Sequence, residues 1–169
     1  MAVVDPEHLF EQADRSIAAP PAGPPRQADL RRAVSAACYG LFHFIVTALA
    51  DEFVGRTKRS DSRYTLVYRS VDHRALKTLC AQTTRPGPTP RYLPFAPTGG
   101  FGTNIQAFSM AIVELQEKRH NADCDPSMRF GTSDAQLAIS TARTALRRFG
   151  RASSARRKAF LTLLLCPPR

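Results

Sequence analysis

The side chains in this chain with chemical capacity are arginines and histidines, and they fall in a few places. Arg119 and His120 stand together, with Asp123 and Asp125 about one helical turn further on. Arg69 and His73 are four residues apart, the spacing that places two side chains on one face of a helix. His43 sits alone in an apolar run. Arginine offers a planar fork that matches phosphate, and histidine changes protonation near neutral pH, so these types suit anion binding or proton transfer. Each also has a plainer reading. His43 reads equally as a satisfied core histidine, Arg69 as a surface residue, and Arg119 with Asp123 as an ion pair locking a helix end. A second basic group, Arg147, Arg148, Arg151, Arg156, Arg157 and Lys158, is either a solvated face or the best place for phosphate contacts.

The overall charge points the same way. The formal net charge is +10, and 20 of the 24 basic residues are arginine. An acidic partner such as RNA fits that balance; so does the Ala, Arg and Pro bias of a GC-rich coding sequence. Cys38, Cys80, Cys124 and Cys166 lie far apart, which is neither a zinc pattern nor a disulfide framework. No metal and no cofactor is expected. The start, MAVVDPEHLFEQ, has early acids and no charged-then-apolar leader pattern. A cytoplasmic protein with reduced thiols is the expectation.

These side chains need elements to hold them, and the apolar pattern is helical throughout, with no period-two alternation. Asp5 and Pro6 open a short helix carrying Leu9, Phe10 and Ala13, which ends before the proline-rich stretch 19–25. A second helix runs from about Gln27 to Val54, with Gly55 at its C′ position. Within it, Ala33 to Ala50 has no charged residue and approaches the lower length limit for a membrane span. Ser35, Tyr39, Gly40, His43 and Thr47 interrupt it, and amphipathic neighbours are at hand. It is therefore expected to be the core helix of a bundle, with no membrane involved.

A third helix is expected over Ser62 to Ala81, placing Arg69 and His73 on a face with Leu66, Leu76 and Cys80. Residues 82–103 hold five prolines and a Gly-rich turn, so they form a long loop that is functional, mobile or an extended wrap. A fourth helix starts near Asn104 with Ile105, Phe108, Ile112 and Leu115 on one stripe. Four residues on, the stripe reaches Arg119, so its guanidinium should point into the bundle. A buried guanidinium demands a partner, with Asp123 and Asp125 the nearest carboxylates. Ser133 and Gln136 resemble a capping box for a fifth helix ending at Phe149–Gly150. A sixth spans about Ser153 to Leu165. The whole chain, 1–169, thus reads as one all-α domain, an up-and-down bundle of five to six helices. His43, Arg69, His73 and Arg119 are expected to converge in it, with His43, Asp123 and Asp125 making up a structural polar core.

Three blocks then resemble the HEPN family. Arg31-Arg-Ala-Val-Ser-Ala-Ala-Cys-Tyr-Gly-Leu-Phe-His43 is similar to its second-helix signature. Arg119-His-Asn-Ala-Asp-Cys-Asp-Pro126 is similar to an Arg-x-x-Ala-Asp-Tyr segment, with Cys124 in the tyrosine place. Val67-Tyr-Arg-Ser-Val-Asp-His73 has the look of a subset of small bacterial members. The resemblance implies a helical bundle that commonly forms homodimers. It also implies metal-independent RNase activity in many members, often as toxins paired with a minimal nucleotidyltransferase. The active motif there is an arginine, a polar residue and a histidine four to six places after the arginine. Arg119 and His120 match its start, but no histidine follows at that spacing. Asp125 would repel an attacked phosphate. The reading is therefore a non-catalytic domain that dimerises and binds RNA, a nucleotide or a partner protein, within a toxin–antitoxin-like system. The alternative is a divergent RNase using Arg119 with His120, or with Arg69 and His73.

Overall fold

In the computed structural model, residues 4–18 and 23–168 are described. Seven α-helices pack together, and there is no strand among the described residues. Helix α1 (Pro6–Ile17) opens as its cap predicts, with the Asp5 carboxylate accepting from the Glu7 amide at 3.0 Å. Residues 19–22 of the proline-rich stretch after it lie outside the described residues. Helix α2 (Gln27–Phe53) is the axis of the bundle, and Gly55 follows it at φ +110°. That region of backbone favours glycine because a Cβ would meet the following carbonyl.

Leu30, Val34, Leu41, Ile45, Val46 and Leu49 of α2 are buried, and two thirds of its most apolar stretch is enclosed by neighbouring helices. It touches α1, α5 (Gly102–Cys124), α6 (Thr132–Arg151) and α7 (Ser154–Leu165). Gly40 lets α1 approach. A Cβ there would stand 2.8 Å from the ring of Phe10, which is itself fully buried. Further along, Phe44, Phe108, Phe149 and Phe160 interlock where α2, α5, α6 and α7 meet, edge to face except for the tilted pair Phe108–Phe149.

Two local readings of the sequence are corrected. The single helix expected over Ser62–Ala81 is two, α3 (Ser62–Tyr68) and α4 (His73–Thr83). The Asp72 side chain takes the Ala75 amide at 2.7 Å and starts a new helix, while Ser70 bonds back to the Val67 carbonyl. An aspartate that caps satisfies amides a continuous helix would have paired internally. Helix α6 begins before Ser133, with Gly131 as its cap residue; the Asp134 carboxylate reaches back to the Gly131 amide at 2.7 Å. The long loop contains a short 3-10 turn at Leu93–Phe95 and is pinned by buried Tyr92 and Phe101, so it wraps the bundle.

Candidate functional site

One seam of α2 gathers the polar residues that interrupt its apolar middle, and Asp51 beyond them. Ser35, Tyr39, His43, Thr47 and Asp51 recur every fourth residue, so they form a single ridge. Four of them meet a polar side chain from a distant helix. The Ser35 hydroxyl donates to Asp123, and the Tyr39 hydroxyl accepts from Arg119 Nη1 at 2.9 Å. His43 Nδ1 and the Tyr68 hydroxyl are bonded at 2.6 Å. Asp51 accepts from the Tyr64 hydroxyl at 2.8 Å and from Arg59 Nη2 at 3.0 Å.

Arg119 leans inward as its stripe requires. Its side chain is 24% exposed, its guanidinium lies 5.4 Å from the centre of the Tyr39 ring, and Asp123 is 3.8 Å from Nη1. The nearest strong contact is thus a neutral hydroxyl and an aromatic face, with the carboxylate at longer range. Arg119 Nε is buried with no partner among the described residues. The guanidinium also acts on Cys38, whose thiol burial pushes up to about 12 while Arg119 draws it down.

His73 joins the same place from the first turn of α4. Its ring stacks on Phe42 at 3.9 Å and meets the edge of Tyr39 at 5.5 Å. Gln116 of α5 is buried and holds this turn by donating to the His73 carbonyl at 3.0 Å. His73 Nδ1 has no partner among the described residues. Burial, with the nearby Arg119 charge second and His43 third, lowers the imidazole from 6.5 to about 4. His43 is lowered as well, by burial. Both rings are therefore neutral at pH 7.

Arg119, His73 and His43 do converge through Tyr39 and Phe42. Arg69 does not: it ends α3, is exposed, and shares no helix with His73. The Asp72 cap, by breaking the helix, removed the four-residue relation. His120 is exposed on α5, while Arg119 beside it turns in. Neither aspartate lies in a core. Asp123 is 39% exposed at the rim, and Asp125 follows the last turn of α5, where its carboxylate caps Ser127. Arg31 holds that end of α5 by donating to the carbonyls of Ala122 and Asp125 at 2.8 Å and of Met128 at 2.5 Å. Phe42 and Gln116 were not singled out from sequence, and Tyr39 and Arg31 were read only as a polar interruption of α2 and as the first residue of a family-like signature. The four-residue repeat along α2 was the signal for Tyr39.

The second basic group divides. Arg157 donates to the Gly150 and Ala152 carbonyls and so finishes α6, and Lys158 pairs with Glu52 at 3.7 Å. Arg147 touches only Thr144 through a side-chain bond, and Arg147, Arg148, Arg151 and Arg156 take part in no ion pair among the described residues. Arg147 flanks the α1 side of α6, and Arg148 the α5 side. Arg156 packs against the Gly99–Gly102 turn. No group of three His, Cys, Asp or Glu side chains among the described residues is placed to hold a metal ion.

No family model, no curated protein and no solved structure matches this chain.

Proposed function

We propose that this chain is a non-catalytic, HEPN-like binding domain for an RNA-class polyanion, held at the corner where α6 meets α7. The observation that carries the reading is the group of arginines there that form no ion pair among the described residues, Arg147, Arg151 and Arg156, with Arg148 on the adjoining flank. Some arginines elsewhere are matched, Arg143 to Asp14 and Glu7, Arg59 and Arg56 to Asp51, Arg63 to Asp61. Others, such as Arg32, Arg69, Arg74 and Arg129, also form no ion pair among the described residues, so this corner is set apart by how many basic residues it gathers beside so few acids. Between Thr132 and Leu165 the only acid is Asp134, against seven basic residues. A cationic surface with no internal counter-charge is what a phosphate backbone neutralises, releasing counterions as it binds.

Catalysis is the weaker reading for a chemical reason. A general base works best with a pKa near the operating pH, and His73 lies far below it, with one ring face covered by Phe42. The divergent RNase keeps one observation in its favour, the meeting of Arg119 and His73 at Tyr39.

Binding of a short single-stranded RNA, followed by fluorescence anisotropy in EDTA across a salt series, tests the proposal. Three phosphate contacts give a log–log salt slope of about −2. The triple variant Arg147→Ala, Arg151→Ala, Arg156→Ala should lose that slope along with most of the affinity. Salt-independent binding, or an unchanged triple variant, overturns the reading. The same incubation reports on cleavage: products that vanish in both Arg119→Ala and His73→Ala would establish the RNase instead.

A further inference from the structure

We infer that the cleft between α7 and the Leu93–Phe95 turn is a base-stacking subsite, in which one unpaired base of a single-stranded RNA lies on the Phe95 ring. This subsite rests on the RNA reading above and narrows it to a single strand, held by a base as well as by phosphates.

The 82–103 loop builds the cleft by holding an aromatic ring out in water. Phe95 is 56% exposed, although buried Tyr92 and Phe101 anchor the loop on either side of it. Pro94 and Pro97 fix φ close by. The Phe95 and Ala96 amides donate to the Tyr92 and Leu93 carbonyls at 3.1 and 3.2 Å. A ring so placed cannot fold back into the bundle without breaking that turn. Across the cleft, α7 offers Ala159 and Leu163, and Pro168 closes one end. The space holds about 330 Å³, at the small end of ligand cavities, which run from about 300 to 1,000 Å³. Its walls are mainly carbon, and no acid among the described residues lines it.

The charge around the cleft says what fills it. On α7, residues 156, 159 and 163 follow helical spacing and share a face. Arg156 therefore marks one end, about 5–10 Å along the helix from the Ala159 and Leu163 walls. The Gly99–Gly102 turn holds its guanidinium there, and a Cβ on Gly102 would stand 2.8 Å from Arg156 Cζ. The Arg156 side chain makes no hydrogen bond or ion pair among the described residues, which leaves its fork for a ligand. At the other end, Arg91 Nε donates to the Pro168 carbonyl at 2.7 Å, and Arg91 pairs with no carboxylate among the described residues. Lys158 on the rim already has Glu52 at 3.7 Å. Neither the 82–103 loop nor α7 contains an acid. An apolar slot with an arginine at each end suits a flat ring joined to anions on both sides, which is a nucleotide within a strand. Bases in a duplex are already stacked and paired, so the slot selects single strands.

The chain has no tryptophan, so Phe95→Trp places its one indole in the cleft. Titrating that variant in EDTA with oligoadenylate, inorganic polyphosphate and a neutral leucine-rich peptide separates the occupants. Oligoadenylate should quench the indole; polyphosphate, which offers phosphates without bases, and the peptide should not. Phe95→Ala should weaken oligoadenylate binding by about 5- to 150-fold, the range for one base on an aromatic ring. Its salt slope should stay at the wild-type value, because the phosphate contacts remain. Phe95→Tyr should bind as wild type does, and so should Leu93→Ala, which removes an exposed side chain of the same turn outside the cleft. Oligoadenylate that binds wild type and Phe95→Ala equally and leaves the indole bright would overturn the subsite and leave the arginine corner standing. Equal losses for oligoadenylate and polyphosphate in Phe95→Ala would also overturn it, by making the ring a prop for the loop. Quenching by the peptide alone would do the same, by making the cleft a protein-docking slot. Absence of any salt-dependent binding would instead bring down the RNA reading, and this subsite with it.

Discussion

Acidification should destabilise this protein through His73 before most carboxylates titrate, and the sign follows from its surroundings. The unfolded imidazole titrates at 6.5, and the folded one at about 4. Between those values the unfolded chain binds a proton that the folded chain refuses. Stability is therefore full above pH 6.5 and falls as pH drops toward 4. A fully insulated shift of this size is worth about 3 kcal/mol. The ring is only half-buried, so water and local relaxation reduce it to about 1–2 kcal/mol. Arg119, His43 and Asp72 are the charged or titratable groups that act on it, and only Asp72 favours the imidazolium. The comparison is wild type against His73→Phe, which keeps a flat ring on Phe42 but cannot take a proton. Urea unfolding, followed by helical circular dichroism, is measured at steps between about pH 7 and pH 4.5. The expected result is a shallower acid limb in His73→Phe, with the residual slope in this range containing the lowered His43. Equal acid limbs for the two proteins, or an NMR titration placing His73 near 6.5, would refute the argument.

Two further substitutions test the packing that builds the site. Gly40→Ala gains about 1 kcal/mol of helix propensity, but its Cβ meets the buried Phe10 ring at 2.8–2.9 Å. Overpacking at about 1–3 kcal/mol should win, so thermal melting should show a lower midpoint; a higher one would mean that α1 yields freely. Arg31→Lys should lose about 1–3 kcal/mol in urea denaturation, because one ammonium cannot span the carbonyls of Ala122, Asp125 and Met128. A lysine variant as stable as wild type would show that the forked contact is not what holds that end of α5.

The helical class and most element boundaries were legible in the sequence, because they depend on short-range chemistry. Asp5–Pro6 and Gly55 each act within one turn, and the structure places helix ends beside both. Arg119 pointing inward followed from its stripe with Ile112 and Leu115. The split after Tyr68 was not read, although Asp72 was visible as a cap residue. A helix-periodic apolar set ran across it, and period alone does not register a competing cap. The roll of polar residues at every fourth position of α2 was present too, but its partners come from segments 8 to 88 residues away.

The sequence alone determined that Ala33–Ala50 would be covered on nearly every side, since an uncharged helix of that length has few other stable settings in a bundle with amphipathic neighbours. Only the tertiary structure decided which histidine reaches Arg119, and which arginines end with no carboxylate beside them. Helical period assigns a side chain to a face of its own helix. Which distant face lies opposite is set by how all seven helices pack at once, and that information belongs to no single segment.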